Sequence, residues 1–216
     1  RVKEAMSALN YDEISIDPVG NIFGRIGDGR IKIIYDGHLD TVGAGDLSRW
    51  KFDPFKGEFQ EGKIFGRGAC DMKGGFASLL YAGAIIKELG IPGDFTLIVA
   101  GVVQEEEGEG TAIGEAIKKG FIPGVGKEKI DAVLLAEPSS LKIKRGQRGR
   151  VEFKIRTHGK SAHGSFPHLG KNAFYQMLPI MERIKNFQPE ISDPFLGRGV
   201  LSATRVTCEP DSVNTI

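Results

Sequence analysis

The sequence predicts an α/β fold: a layered domain with a largely parallel mixed sheet, followed by the first part of a smaller α+β domain. Three observations carry this reading. Residues 31–35, 95–103 and 131–136 are short, continuous, β-rich apolar runs, as expected of strands buried on both faces. Helical periodicity fills the intervals between them, and strands alternating with helices call for parallel pairing with the helices as crossovers. From about Arg148 the texture changes, because Val151-Glu152-Phe153-Lys154-Ile155-Arg156 alternates apolar and polar side chains as a half-exposed antiparallel strand does.

The helices follow from spacing and punctuation. Met72, Phe76, Leu79, Leu80, Ala84, Ile85 and Leu89 recur at helical intervals, with Asp71 suited to the N-cap and Gly90 and Pro92 to the stop. Residues 111–119 form a second helix, closed by Gly120 and Pro123. In the later part, a helix over residues 172–184 and an extended stretch over 199–208 follow the alternating strand, giving a β-α-β order.

Composition excludes several classes of function. The 216 residues carry 29 basic and 28 acidic side chains, a formal net charge of +1, so no excess of Lys and Arg is available for a nucleic-acid or membrane-surface binder. With 40% apolar and 26% charged residues the chain can bury a core. Its apolar runs are far shorter than the roughly 20 residues that cross a bilayer. Two cysteines, Cys70 and Cys208, make no disulfide framework, and no apolar leader opens the sequence, so a reducing cytoplasm is the expected location. The chain opens on Arg1 and stops at Ile216 in what reads as the middle of a strand or loop, so a piece of a longer protein is expected.

Each apolar strand runs into polar residues able to bind metal. Residues 31–35 lead to Asp36-Gly37-His38-Leu39-Asp40, residues 95–103 to Gln104-Glu105-Glu106-Glu107, and residues 131–136 to Glu137-Pro138. In open α/β sheets ligands bind outside the carboxyl ends of the strands, so these groups should converge, joined by Asp71. One imidazole with several carboxylates suits zinc, cobalt or manganese in a catalytic site better than in a thiolate-rich structural one. Several acids in one cleft repel each other unless a cation lies between them. His38 and Asp40, two apart on an extended chain, share a face, so Asp40 can orient the imidazole. Asp71 offers two oxygens and could bridge two ions. Glu105 and Glu106 can split roles at a strand end, one binding metal and the other taking a proton from the attacking water.

Taken singly, each group has a plainer reading. The acidic run 105–109 could be a solvated turn, Glu137-Pro138 a strand end and Asp71 only a cap. Cys70 reads as a small filler, His158 as a surface residue, and the basic stretch 142–150 as a solvated junction between domains. The joint placement of the four groups at the carboxyl side of one sheet favours a metal site.

These residues resemble the zinc-dependent aminoacylase and carboxypeptidase superfamily, which includes acetylornithine deacetylase, succinyl-diaminopimelate desuccinylase, glutamate carboxypeptidase and carnosinase. The matching segments are Gly37-His38-Leu39-Asp40-Thr41-Val42, Gly66-Arg67-Gly68-Ala69-Cys70-Asp71-Met72-Lys73-Gly74-Gly75, Gln104-Glu105-Glu106-Glu107-Gly108, Ala136-Glu137-Pro138 and Gly159-Lys160-Ser161-Ala162-His163-Gly164-Ser165. They occur in family order and span most of the chain.

The resemblance implies a catalytic domain over residues 1–147 and an incomplete ferredoxin-like lid and dimerisation domain over 148–216. It implies two zinc ions, with cobalt or manganese as substitutes, held by His38, Asp71 as the bridge, Glu106 and Glu137. Glu105 matches the general base and Asp40 the carboxylate behind His38. His163 matches a lid histidine that reaches a partner subunit's site and helps hold the substrate carbonyl, and Asn214 a lid asparagine that binds substrate. The implied substrate is a small N-acylated amino acid or peptide, and the implied assembly a homodimer through the lid, with no nucleic-acid or membrane partner. Family members carry a further histidine, ligand of the second zinc, beyond the lid; here only His38, His158, His163 and His168 occur, the last three in the lid segment. The isolated chain is therefore expected to be weak or inactive and its parent an active hydrolase. A dinuclear-zinc aminopeptidase is the alternative enzyme, against which the lid-like segment argues; a non-catalytic metal- or peptide-binding homologue is the alternative of another class.

Overall fold

The apolar runs become neighbouring strands of one sheet. A computed structural model of the chain describes residues 1–108, 110–125 and 129–208, in two units, Arg1–Lys142 and Ile143–Ile216. The first unit runs α1 (Val2–Ala8), β1 (Glu13–Ile16), β2 (Ile22–Ile26), β3 (Ile31–His38), β4 (Glu58–Gln60), β5 (Lys63–Phe65), α2 (Gly74–Glu88), β6 (Phe95–Val102), α3 (Glu105–Gly108), α4 (Thr111–Lys119) and β7 (Ala132–Leu135). The five-stranded sheet has the order β1-β2-β6-β3-β7. Strand β3 lies parallel to both β6 and β7, whereas β1 and β2 join as antiparallel strands. The parallel part is thus made of the three runs read from the sequence, in a mixed α/β architecture.

Packing explains the layers. Alternate residues of β6 feed opposite faces. Leu97 and Val99 pack with Met6, Tyr11, Phe76, Leu80 and Ala84 beneath α2, while Ile98, Ala100 and Val102 pack with Phe23, Ile34, Ala116 and Ile122 beneath α4. Residues 96–102 are all buried, which is why this run carries no polar alternation. Helix α4 occupies the interval expected for it, and Gly120, at φ 72°, ends it in the left-handed conformation glycine adopts freely.

The start of α2 corrects one expectation. Asp71 is not its N-cap: the regular helix opens at Gly74, and no side-chain cap bond forms there. Asp71 (φ −116°, ψ 97°) and Met72 (φ −134°, ψ 29°) leave the helical region, so the carboxylate points away from the helix amides. The short hairpins β1–β2 and β4–β5 escaped the sequence reading because their strands are only three to five residues long; β2 is largely buried, while β4 and β5 are mostly exposed. Glu61 and Gly62, both at positive φ, turn the second of them.

Register then places the chemistry. His38 pairs with Val102, the last residue of β6, and Asp36 pairs with Leu135, the last residue of β7. Glu137, two residues beyond Leu135, therefore comes level with His38 at the carboxyl edge. Helix α2 approaches β7 so closely that a Cβ added at Gly75 would lie 2.3 Å from the Ala136 carbonyl oxygen. Gly75→Ala gains at most about 1 kcal/mol of helix propensity but overpacks this contact, which costs about 1–3 kcal/mol. The expected result is a lower Tm by thermal melting together with weaker zinc binding, since Ala136 precedes Glu137. An unchanged Tm would contradict this account of the contact.

In the second unit, α5 (Ala173–Lys185) is capped by Asn172, whose side chain accepts from the amides of Phe174 and Tyr175 at 2.9 and 3.2 Å. A three-residue loop, 194–196, joins the two-residue strands β8 (Ser192–Asp193) and β9 (Gly197–Arg198) in an antiparallel hairpin. Neither the alternating segment 151–156 nor residues 199–208 form strands. A strand needs a hydrogen-bonded neighbour, and none pairs with either segment among the described residues. Among the same residues, no helix is long and apolar enough to cross a membrane.

Candidate metal centre

The end of β3 delivers His38 into a buried position, 2% exposed, with its amide donating to the Met72 sulfur at 3.3 Å. Its Nδ1 lies 3.0 Å from the backbone carbonyl of Asp40 and 3.5 Å from the Asp40 carboxylate. Donation from Nδ1–H to that carbonyl leaves Nε2 with its lone pair outward, and Nε2 faces Asp71 Oδ1 at 3.1 Å. A lone pair opposite a carboxylate is repulsive unless a cation, either a proton or a metal ion, lies between them. Glu137 Oε1 and Glu105 Oε2 stand 3.9 and 4.0 Å from the same nitrogen.

Donor atoms of His38, Asp71 and Glu137 all lie within 4.8 Å of one another. One neutral imidazole and two carboxylates fit a zinc-type ion that retains an open position. The electrostatics agree. Burial opposes a charged His38, but the Asp71 hydrogen bond, the Asp40 carbonyl and the charges of Glu105 and Glu137 together raise its pKa. Glu137 is pushed up by burial and by the neighbouring negative charges of Asp71, Glu105 and Glu106, against the pull of His38. Without a metal, His38 and Glu137 hold a proton more readily than in free solution. Protons and a divalent cation compete for the same lone pairs, so acidification opposes metal binding.

The acidic turn has its own anchors. The expected strand end is instead the first turn of α3, where the Asp40 carboxylate accepts from the amides of Glu105 at 3.3 Å and Glu106 at 3.1 Å. Asp40 thus turns its carbonyl to the imidazole and its carboxylate to α3. Glu105 reaches toward His38, while Glu106 Oε1 accepts from the Val42 amide at 3.3 Å and stands apart from the three-residue cluster.

His163 belongs to the second unit, where its Nδ1 accepts from the Ser165 amide at 3.2 Å and its ring lies 5.9 Å from that of Phe166. Asn214 lies outside the described residues. His158 is exposed, and so is Cys70, a free thiol.

One acidic residue of the site had no role assigned from the sequence. Asp36, two before His38 on β3, has a buried Oδ1 without a hydrogen-bond partner. Its pKa is pushed up to about 6 by burial first and then by Glu137. The signal was present as a carboxylate directly after the apolar run 33–35 of β3, on the face that Ile34 and His38 share.

Comparison with known proteins agrees with this geometry. The family model for peptidase family M20/M25/M40 matches residues 34–202. The uncharacterized protein YgeY of Escherichia coli (strain K12) is 40% identical over 207 residues, covering 95% of this chain and 50% of that protein. A succinyl-diaminopimelate desuccinylase of Ehrlichia chaffeensis is 36% identical over 174 residues, covering 78% of this chain and 44% of the enzyme. The chain therefore spans about half the length of the curated relatives it matches. A tripeptidase of Staphylococcus aureus shares the fold, with a TM-score of 0.52 at 18% identity over 84% of this chain and 49% of its own. With the family match spanning most of the chain and its histidine and carboxylates gathered at one sheet edge, this chain belongs to peptidase family M20/M25/M40.

Proposed function

We propose that the protein is a metal-dependent hydrolase that cleaves an amide bond in an N-acylated amino acid or a small peptide, as the names of its relatives suggest. The observation that carries this reading is the His38, Asp71 and Glu137 cluster, with Glu105 beside it. His38, Asp71 and Glu137 would hold a first ion, and Asp71 with Glu106 would hold a second. When bound, zinc ions supply a polarised carbonyl and a water with a pKa of about 7. Glu105 would serve as the general base, taking a proton at its carboxylate and returning it to the leaving amine. His163, from the lid of a partner subunit, steadies the carbonyl oxygen, and Asn214 helps hold the substrate. Residues 1–147 act as the catalytic domain and 148–216 as part of a ferredoxin-like lid that forms a cytoplasmic homodimer.

The test is hydrolysis by the full-length protein of N-succinyl and N-acetyl amino acids beside dipeptides and tripeptides. Turnover of one class, lost on dialysis against a chelator and restored by zinc or cobalt, is the expected result. Bound zinc with no hydrolysis of any of them would contradict it, as would turnover indifferent to chelation.

A further inference from the structure

We propose that Asn21 is a positioning residue that sets the acidic turn carrying Glu105 and Glu106, an inference that rests on the roles just given to them. Asn21 is fully buried, and both ends of its carboxamide are hydrogen-bonded. Its Nδ2 donates to Asp17 Oδ2 at 2.7 Å and to the Ala112 carbonyl at 3.1 Å, and its Oδ1 accepts from the Val103 amide at 2.9 Å. One carboxamide therefore ties the β1–β2 turn to the residue after β6 and to the first turn of α4. Those two anchor points flank the segment that bears Glu105 and Glu106.

Asn21 is itself held rigidly. Asp17, 7% exposed, accepts through Oδ1 from the amides of Val19, Gly20 and Asn21 at 2.9, 2.9 and 3.0 Å, which fixes the turn and aims the carboxamide. Between the Val103 anchor and α3 stands Gln104 at φ +63°, a left-handed conformation that a residue with a Cβ holds only when its surroundings impose it. Asn21 imposes it from below through Val103, and the Asp40 carboxylate from the site side through the Glu105 and Glu106 amides. Of these two clamps only Asp40 lies beside the metal cluster. Asn21 acts through the backbone, and its effect on chemistry is the placement of Glu105, where an error of about 1 Å costs about a hundredfold in rate.

Amide hydrogen exchange of the full-length, metal-free protein reads this directly. In the wild type the Val103 amide is expected to be protected to the level of the paired amides of β6. In Asn21→Ser, exchange at Val103, Glu105 and Glu106 is expected to rise about tenfold, the loss of one buried hydrogen bond, while the β3 and β6 amides keep their protection. Uniform loss across the sheet, or no local change, would overturn the inference. If Asn21→Ser does not fold, the wild type decides alone: a rapidly exchanging Val103 amide overturns it and a protected one supports it. In the catalytic assay, Asn21→Ser is expected to lower kcat per zinc-loaded molecule about tenfold to a hundredfold with little change in KM. An unchanged kcat would overturn the inference and leave the proposed function standing. A wild type without hydrolysis would overturn the proposed function and leave the exchange pattern to decide the role of Asn21.

Discussion

Glu105→Gln in the full-length protein is expected to lower kcat by about a hundredfold to ten-thousandfold, the usual worth of a positioned general base. Zinc stoichiometry and KM are expected to stay nearly unchanged. The separation follows from geometry, because Glu105 approaches His38 Nε2 at 4.0 Å without being one of the three clustered donors, His38, Asp71 and Glu137. Its main-chain amide, rather than its side chain, makes the bond to Asp40, so glutamine leaves the anchor of α3 intact. Steady-state kinetics beside metal analysis checks the prediction. A kcat within a few-fold of wild type would remove Glu105 from the proton transfer, and loss of zinc would make it a ligand instead.

Asp36→Asn is expected to stabilise the metal-free protein at alkaline pH by up to about 3 kcal/mol, the equivalent of a shift of about two pK units. Burial raises this carboxyl from 3.8 to about 6, so folding disfavours its ionised form. The sign follows from the direction of the shift. Below about pH 4 the group is protonated in both states and costs nothing; above about pH 6 it is ionised in both and the full penalty applies. The gain from asparagine therefore appears as pH rises between these values. For a domain of this size it corresponds to about 6–12 °C in Tm at pH 8. Thermal melts at pH 4.5 and pH 8 check it, and equal Tm differences at the two pH values would contradict it. Added zinc is expected to shrink the difference, because a cation beside Glu137 offsets the charge that disfavours ionised Asp36.

Much of the architecture of the first unit was legible because it rests on local pattern. The β6 run is apolar since its neighbours cover it on both faces, whereas β7, expected to be buried in the same way, is an exposed edge strand recognisable only by its β-rich composition; the limits of α4 follow from Gly120 and its own periodicity. The polar groups after each run mark the edge where they converge. What was not legible depends on contacts remote in sequence. Asp71 looked like a cap because an acidic residue before an apolar helix usually is one; only the non-helical backbone at Asp71 and Met72 shows the carboxylate freed to meet His38. The split use of Asp40, carbonyl to imidazole and carboxylate to α3, is invisible to a spacing rule that treats a residue as one side chain. The Asn21 network joins positions up to 91 residues apart. In the later unit, alternation alone was insufficient, since a strand also needs a partner.

The most direct test of the central claim is a calorimetric titration of zinc into the metal-free full-length protein, beside Asp71→Asn. This substitution keeps the shape of the side chain and removes the charge opposite His38 Nε2. Tight zinc binding in the wild type, weakened about a hundredfold or more in the variant, is the expected result, since losing even a group behind a ligand costs tenfold to a hundredfold. Equal affinities in the two proteins would show that the His38, Asp71 and Glu137 cluster is not where the metal binds.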